Sequence, residues 1–328
     1  MKEPQSKLMK VILPLLLSLL VFTSCQSASS GSQAQGKNEG EKAIISASGA
    51  FAIYPLMVRW AEEYQRLNPQ VQIDVSAGGA GKGMSDALAG MVDIGMVSRE
   101  VKPEEEQQGA FSLAVAKDAV FPTISAQNPY LQELLAKGLT KEEFGKIYLS
   151  QNPIRWGDVL NDPAADQTIN VYTRSDACGA AEVWSKFVGG KAQEDLQGIG
   201  VSGDPGVVDA VKKDALGIGY NNLNYAFDPS SGKPVAGIAV LPIDLDGNGK
   251  ADEHEVLETK AEAVQAVAEG WYPSPPARPL YLVTKGKPSG AVLNFLQWIL
   301  SDGQKYLDEV GYIPLPAEQL AKEREKLQ

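Results

Sequence analysis

The sequence predicts an α/β protein with a parallel sheet, because short apolar strands alternate with glycine-rich turns and amphipathic helices. A β-rich run at 43–47 is followed by a glycine turn at 48–52 and then by large apolar residues at helical spacing. A second strand at 71–77 leads into another glycine turn at 78–84. In sheets of this kind ligands bind beside the carboxyl ends of the strands. These turns are therefore the first places to look for a binding site.

The later segments continue this alternation, with short connections that suit a compact domain. The pattern predicts a strand at 92–98, a strand pair at 113–125, a helix at 127–150, a strand ending at 171–173, a helix from Gly179, a helix followed by a strand within 203–223, a strand at 277–287 and an apolar helix within 291–315.

Composition bounds the class of protein. The chain has 328 residues, 44% of them hydrophobic, which is enough for a substantial core and suggests about two domains. Its 30 Lys and Arg against 41 Asp and Glu leave a formal net charge of −11. Nucleic-acid backbones favour cationic surfaces, so an acidic chain without a basic run is a poor candidate for binding them.

The N-terminus has the pattern of a secretory signal. Residues 1–24 consist of a lysine-containing start followed by an apolar run that is too short to span a bilayer comfortably. The small residues before Cys25 resemble a bacterial lipobox, which predicts cleavage there, lipidation of the thiol and anchoring to a bacterial membrane on its extracytoplasmic side. A simple cleaved signal and an uncleaved anchor are the alternatives. Residues 25–42, rich in Ser, Gly and Gln, are predicted to be a flexible tether.

The stretch 171–187 carries the strongest local signal for a site. It predicts a strand end, a polar turn containing Arg174 and Asp176, and a helix that starts near Gly179. A helix N-terminus with unpaired N–H groups beside an arginine is a ready anion site. The alternative is an ordinary turn in which Asp176 caps the helix and Arg174 is solvated.

An enzyme is the main competing class. The chain has a single histidine, so histidine-activated nucleophiles and His-rich zinc sites lack residues. Cys178, at the predicted helix start, is a candidate reactive thiol. No basic partner for it is visible in the sequence, and we therefore predict a protein without catalytic activity or a catalytic cofactor.

A second motif lies at 244–255, where the spacing matches a calcium loop of the EF-hand type. Calcium prefers several hard oxygen ligands, which the glycine turn of this loop brings together. We predict a lone structural Ca²⁺ site rather than a paired sensor, and the alternative is an acidic surface loop without an ion. The predicted ligands are Asp244, Asp246, Asn248, Lys250 through its carbonyl, Asp252 and Glu255.

Seven segments together resemble the extracytoplasmic solute-binding proteins of phosphate ABC transporters. They are SGAFAIYPL (48–56), GGAGKGM (78–84), VDIGMVSRE (92–100), YTRSDACGA (172–180), GIGY (217–220), YPSPPARPLYL (272–282) and DGQKYLDEVGYIPL (302–315).

The resemblance implies a two-lobed periplasmic-binding-protein fold of type II with two crossover hinge strands. Lobe 1 would comprise 43–115 and 281–328, and lobe 2 would comprise 116–280. A monomer would capture phosphate or a similar oxyanion between the lobes and deliver it to a permease.

The resemblance also assigns binding residues, and here the chain departs from the family. Arg174 matches the oxyanion-binding arginine, and Ser98 and Arg99 follow a variant found in the family. Hydroxyl-bearing residues of the family are replaced at several positions, while Lys82 lies nearby. The predicted ligand-binding set is Ala50, Phe51, Ala52, Ala80, Gly81, Lys82, Ser98, Arg99, Arg174, Cys178, Gly179 and Ala180.

Each missing hydroxyl removes a donor to an anion, and a charge-assisted hydrogen bond contributes about 1.5–3 kcal/mol. Backbone N–H groups, Lys82, Arg99 and Arg174 are the candidate replacements. Two alternatives stay open: a different solute with an anionic end and an apolar body against Phe51, or a surface lipoprotein used for sensing or adhesion.

Overall fold

The computed structural model describes residues 42–328. The predicted signal segment, Cys25 and nearly all of the predicted tether lie outside the described residues. Within the described part of the chain, no helix has the length and apolar character needed to cross a membrane.

The described chain alternates strands and helices along its length. The strands are β1 (Ala43–Gly49), β2 (Val71–Ala77), β3 (Ile94–Val97), β4 (Ala110–Ser125), β5 (Asn170–Arg174), β6 (Ile199–Val201), β7 (Gly217–Asn222), β8 (Ile238–Val240) and β9 (Ala277–Lys285).

The helices are α1 (Tyr54–Leu67), α2 (Ala80–Ala89), α3 (Pro103–Gln107), α4 (Leu131–Lys137), α5 (Lys141–Leu149), α6 (Trp156–Leu160), α7 (Gly179–Val188), α8 (Gly203–Lys213), α9 (Leu223–Ala226), α10 (Lys260–Glu269), α11 (Gly290–Ile299), α12 (Leu307–Val310) and α13 (Ala317–Lys326), with 3₁₀ turns at Gln193–Asp195 and Asp302–Tyr306.

The sheet has two parallel halves joined by long antiparallel strands. Its order is β2-β1-β3-β9-β4-β7-β5-β6, with β8 also pairing with β4. β1 is parallel to β2 and β3, and β5 is parallel to β6 and β7. Between the halves, β4 and β9 run antiparallel and continue from one half into the other. The fold is the predicted α/β architecture of two lobes with two crossover strands.

Two hydrophobic clusters define the lobes. The cluster of lobe 1 takes buried residues from β1 to Ala116 and from Leu280 onward, including α1, α11 and the chain's last turn. The cluster of lobe 2 takes residues from Ala119 to Ala277 together with Ile313. The changeover falls inside β4 and β9, so these two strands are the covalent connections between the lobes.

The strand β4 differs from the expected strand pair. It is a single strand of 16 residues with a register irregularity between Ala114 and Ala116. A bulge bends a strand without ending it. One long strand can therefore serve both lobes where the sequence pattern predicted a turn.

Two predicted helices are also interrupted. The segment 127–150 forms α4 and α5, because Gly138 leaves the helix with φ 70° and Thr140 starts the next with a capping box to Glu143. The helix predicted within 291–315 ends at Ile299, just before Ser301, whose hydroxyl donates to the Gln297 carbonyl at 2.7 Å. Such a side-chain bond competes with the helical backbone.

The helix α7 is anchored by an aromatic cluster of lobe 2. Trp184 is fully buried and stacks on Tyr220, with ring centroids 5.7 Å apart, and meets Tyr148 edge-on. Aromatic pairs of this geometry stabilise packing beyond their buried area. The anchoring holds the N-terminus of α7 at the junction of the lobes.

Candidate functional site

Three turns meet where the lobes touch, and they are the turns that the sequence singled out. They follow the carboxyl ends of β1, β2 and β5. The Gly81 N–H of lobe 1 donates to the Ala177 carbonyl of lobe 2 at 2.9 Å. Gly179 lies so close to Ser98 that an added Cβ would be 2.3 Å from the Ser98 carbonyl oxygen. The lobes are therefore in direct backbone contact at this place.

Arg174 is buried at the end of β5 and is held by two carboxylates. Its Nε and Nη2 donate to Asp176 at 2.8 and 2.5 Å, and Nη1 donates to Asp204 at 2.6 Å. Burial alone would lower the pKa of the guanidinium, but the charge of Asp204 raises it above its ordinary value. These bonds use three of the five N–H donors of the guanidinium. One N–H on each Nη is left for another acceptor.

The ordinary-turn alternative for this stretch is wrong. Arg174 is not solvated, and Asp176 does not cap α7. Asp176 instead accepts a hydrogen bond from the Gly203 N–H at 3.0 Å. Desolvation alone would raise the pKa of the Asp176 carboxyl, but the hydrogen bond from Arg174 lowers it below its ordinary value.

Cys178 caps the helix instead of serving as a nucleophile. Its sulfur accepts a hydrogen bond from the Ala181 N–H at 3.3 Å. Burial raises the pKa of the Cys178 thiol to about 12. Because the thiolate is the reactive form, burial and the raised pKa make this thiol a poor nucleophile at neutral pH. The site therefore does not support thiol catalysis.

Backbone N–H groups remain as donors where the hydroxyl side chains are missing. Some neighbouring amides are engaged: Ala50 N–H donates to Met96 and Cys178 N–H donates to Gln193, at 2.8 and 2.9 Å. Others find no acceptor among residues 42–328 and lie at the three turns; these are the N–H groups of Phe51, Ala52, Ala80, Gly179 and Ala180. These residues lie at or just before the starts of α1, α2 and α7, where N–H groups have no intrahelical acceptor and bind side chains, water or ligands instead. A set of five at one junction indicates a place for an external acceptor.

The two other predicted cations are paired inside the protein. Lys82 forms an ion pair with Asp86, one helical turn along α2. Arg99 pairs with Glu105 of lobe 1 at 2.6 Å and with Glu182 of α7 at 3.3 Å. Arg99 therefore joins the lobes rather than adding an unneutralised charge to the cleft.

Two residues of the site, Asp204 and Asn222, were not predicted from the sequence. Asp204 lies within the segment 203–223 that is predicted as a helix followed by a strand, yet its fully buried carboxylate holds Arg174. Its oxygens also accept from the backbone N–H and the side-chain amide of Asn222, at 2.9 and 2.8 Å. Residues 174, 204 and 222 are far apart in the chain, and no local pattern signals their contact.

The network continues into the crossover strands. Asn222 accepts a hydrogen bond from Arg278 of β9, which pairs with Asp118 of β4 at 3.2 Å. Asp118 and Arg278 face each other in the antiparallel register. Burial raises the pKa of the Asp118 carboxyl to about 6. The Arg278 Nε also donates to the Ser98 carbonyl at 3.2 Å, which ties lobe 1 to the network.

The segment 244–255 folds into a compact acidic loop. Carboxylate oxygens of Asp244, Asp246 and Glu255 lie within 4.8 Å of one another. Asp244 and Glu255 are 3% and 5% exposed. Gly249 has φ 78°, a conformation that favours glycine, and its N–H donates to Asp244 at 2.9 Å.

The remaining loop positions are more exposed. The Asn248 side chain donates to Asp246 and Asp252, at 3.1 Å in both cases, and Lys250 lies 3.9 Å from Asp252. The loop follows an isolated β-bridge at Ile243 rather than a helix. The loop therefore lacks the preceding helix of an EF-hand and is a single loop.

Comparison with known proteins agrees with this architecture. A family model described as a PBP superfamily domain matches residues 27–303, most of the chain. The chain belongs to the PBP superfamily.

Among curated relatives of this superfamily member, the phosphate-binding protein PstS of Bacillus subtilis is 27% identical over 93% of this chain and 94% of its own. Protein SphX of Synechococcus elongatus is 27% identical over 84% of this chain and 79% of its own.

Solved structures show the same fold. A putative phosphate ABC transporter substrate-binding protein from Clostridium perfringens, with bound phosphate, has a TM-score of 0.66 and 24% identity; it is matched over 83% of this chain and 100% of its own. An ABC-type phosphate transport receptor from Vibrio cholerae has a TM-score of 0.59 at 19% identity, with the same coverage.

Proposed function

We propose that this superfamily member is the substrate-binding component of an ABC importer and captures phosphate or a similar oxyanion between its lobes. The observation that carries the proposal is the group of five backbone N–H donors that have no acceptor within the described part of the chain, a group that adjoins the buried Arg174. Relatives and structural neighbours that are named for phosphate binding support the same function.

The chemistry suits an anion even with few side-chain hydroxyls. The N-termini of α2 and α7 both lie at the junction, and helix N-termini attract anions through their free N–H groups and their partial positive charge. Asp176 and Asp204 fix the guanidinium of Arg174, so little side-chain entropy is lost when its two remaining N–H groups bind.

A second candidate is a different anionic solute. Arg174 with Asp176 and Asp204 adds to a net charge of −1, which disfavours a dianion more than a monoanion. The side chains of Ala50, Ala52 and Ala80 offer no hydrogen bonds, and Phe51 presents an apolar ring. These features favour a singly charged or partly apolar solute.

Calorimetric titration of the purified chain with phosphate, sulfate, arsenate and small organic anions tests both candidates. We expect saturable phosphate binding at micromolar concentrations or below. Phosphate that gives no binding there while an organic anion binds would contradict phosphate as the solute and establish the second candidate.

We further propose that the mature protein is a monomer anchored through lipid on Cys25 to a bacterial membrane, outside the cytoplasm. A permease of the ABC type would receive its solute. The lobes would divide near residues 115 and 280, and the paired strands β4 and β9 would serve as the hinge.

We also propose a structural Ca²⁺ in the loop 244–255. The residues fit, because three carboxylates converge and two of them are buried without a cationic side chain as partner among residues 42–328. Buried charges require a counter-charge or a metal. The ion would join the start of the loop to its end.

Calcium should raise the melting temperature of the protein. At about 100 times Kd, a ligand that binds only the folded state adds about 2.7 kcal/mol, or about 5 °C for a chain of this size. Thermal unfolding with excess calcium and with chelator measures this shift. Glu255→Gln should remove it, whereas Glu253→Gln, an exposed change within the loop, should keep it. Equal melting temperatures with calcium and with chelator would refute the site.

A further inference from the structure

Phe51 is the one large apolar side chain among the predicted ligand-binding residues, and its contacts cross the junction. Its backbone belongs to the β1–α1 turn of lobe 1, and its ring lies over the Arg174 guanidinium of lobe 2, 5.3 Å from the ring centroid. A cation over an aromatic face is attracted by the ring. The ring therefore covers one face of the arginine that the proposed function places against the solute.

Two other groups of lobe 2 hold the ring. Ring atoms of Phe51 lie 2.9–3.3 Å from where a Cβ on Gly203 would stand, and Gly203 has φ 71°. Only glycine leaves room for the ring there. Tyr225 meets the ring edge-on, with centroids 6.3 Å apart. The ring is thus confined by Arg174, Gly203 and Tyr225.

The same residue carries one of the N–H groups without an acceptor. A small oxyanion bound to the N–H groups of Phe51 and Ala52 and to Arg174 would lie against the ring. An oxygen that carries an organic substituent on this side would need the space that the ring fills. Forcing extra atoms into a packed site is destabilising.

We propose that Phe51 is a specificity-determining residue that restricts the solute to an unsubstituted oxyanion and excludes phosphate monoesters. The proposal rests on the oxyanion function proposed above. The role of the ring is separate from that of the backbone donor. A substitution at position 51 changes the side chain that lies against the solute and keeps the backbone N–H.

The test compares phosphate, methyl phosphate and phenyl phosphate by calorimetric titration of the wild type, Phe51→Ala and Phe51→Leu. The measured quantity is the ratio of the ester Kd to the phosphate Kd in each protein. A purely structural role for Phe51 would change all three affinities together. Melting curves confirm that the variants are folded.

We expect the wild type to bind phosphate and to bind each ester at least about 100-fold more weakly, which corresponds to about 2.7 kcal/mol. In Phe51→Ala the ratio of the ester Kd to the phosphate Kd should fall at least about tenfold, because the organic substituent gains the space that the ring fills. Phe51→Leu, which keeps apolar bulk, should retain most of the exclusion.

The outcomes separate the two proposals. Esters that bind the wild type as tightly as phosphate, or a ratio unchanged by Phe51→Ala, would overturn the role of Phe51 and leave the oxyanion function intact. A wild type that binds no phosphate would contradict the oxyanion function itself, whatever the ratio in the variant.

Discussion

Replacing Arg174 with alanine should abolish oxyanion binding and also destabilise the fold. The change removes the two guanidinium N–H groups that have no acceptor among residues 42–328. Two charge-assisted bonds are worth about 3–6 kcal/mol, so we expect a loss of at least about 100-fold in affinity. It also leaves the half-buried carboxylate of Asp176 and the fully buried carboxylate of Asp204 without their counter-ion. Removing one partner of a buried pair costs about 3–5 kcal/mol. Titration with phosphate and urea unfolding measure the two effects.

A double variant separates binding from stability. In Arg174→Ala/Asp204→Asn the fully buried charge at position 204 is removed together with its partner. The free energy of unfolding should recover in part, because an amide is less costly to bury than an unpaired carboxylate. Anion binding should stay lost. Affinity retained in Arg174→Ala would refute the role of this arginine in the site.

Gly179→Ala should prevent the lobes from meeting. Solute binding should weaken by at least about 100-fold, because donors from the two lobes can no longer bind the solute at the same time. The added Cβ would lie 2.3 Å from the Ser98 carbonyl oxygen and 2.5 Å from the Ser98 hydroxyl oxygen. The obstacle is backbone, which cannot rotate away, so the lobes must separate. Alanine suits the first turn of α7, so the helix itself should not weaken.

The control for this change is Gly206→Ala in α8, where the nearest atom to the added Cβ is 3.7 Å away. That variant should bind as the wild type does. Titration measures the affinity, and the radius of gyration by solution scattering shows whether Gly179→Ala is more open than the control. A variant at position 179 with unchanged affinity and radius would show that this contact is not needed for closure.

Local patterns were sufficient for the parts of the protein that depend on neighbours in the chain. The glycine turns after β1 and β2 and the helix start at Gly179 were predicted from apolar periodicity and turn residues, and the structure has all three. The strand–turn–helix order also places these turns at one end of their strands. The location of the candidate site therefore followed from the sequence.

The predicted strands and helices were wrong where a local sequence signal competed with tertiary packing. The apolar run 113–125 was divided into two strands, because no periodicity distinguishes a bulged strand from a hairpin. The segments 127–150 and 291–315 were predicted as continuous helices, although Gly138 and Ser301 end the helical hydrogen-bonding there. In each case the three-dimensional neighbours decided between conformations that the residues alone allow.

The stretch 171–187 shows both sides of this division. The sequence by itself determined that Arg174 precedes a helix N-terminus and that residues 178 and 180 at this helix start carry no hydroxyl, since residue identity and spacing are enough for both. Only the tertiary structure decided that Asp204 and Asp176 hold the arginine, that Cys178 is a buried cap, and that Lys82 and Arg99 are neutralised by other carboxylates. The physical reason is that charge pairing and burial depend on distances between residues that are remote in the chain, and those distances exist only once the lobes have folded.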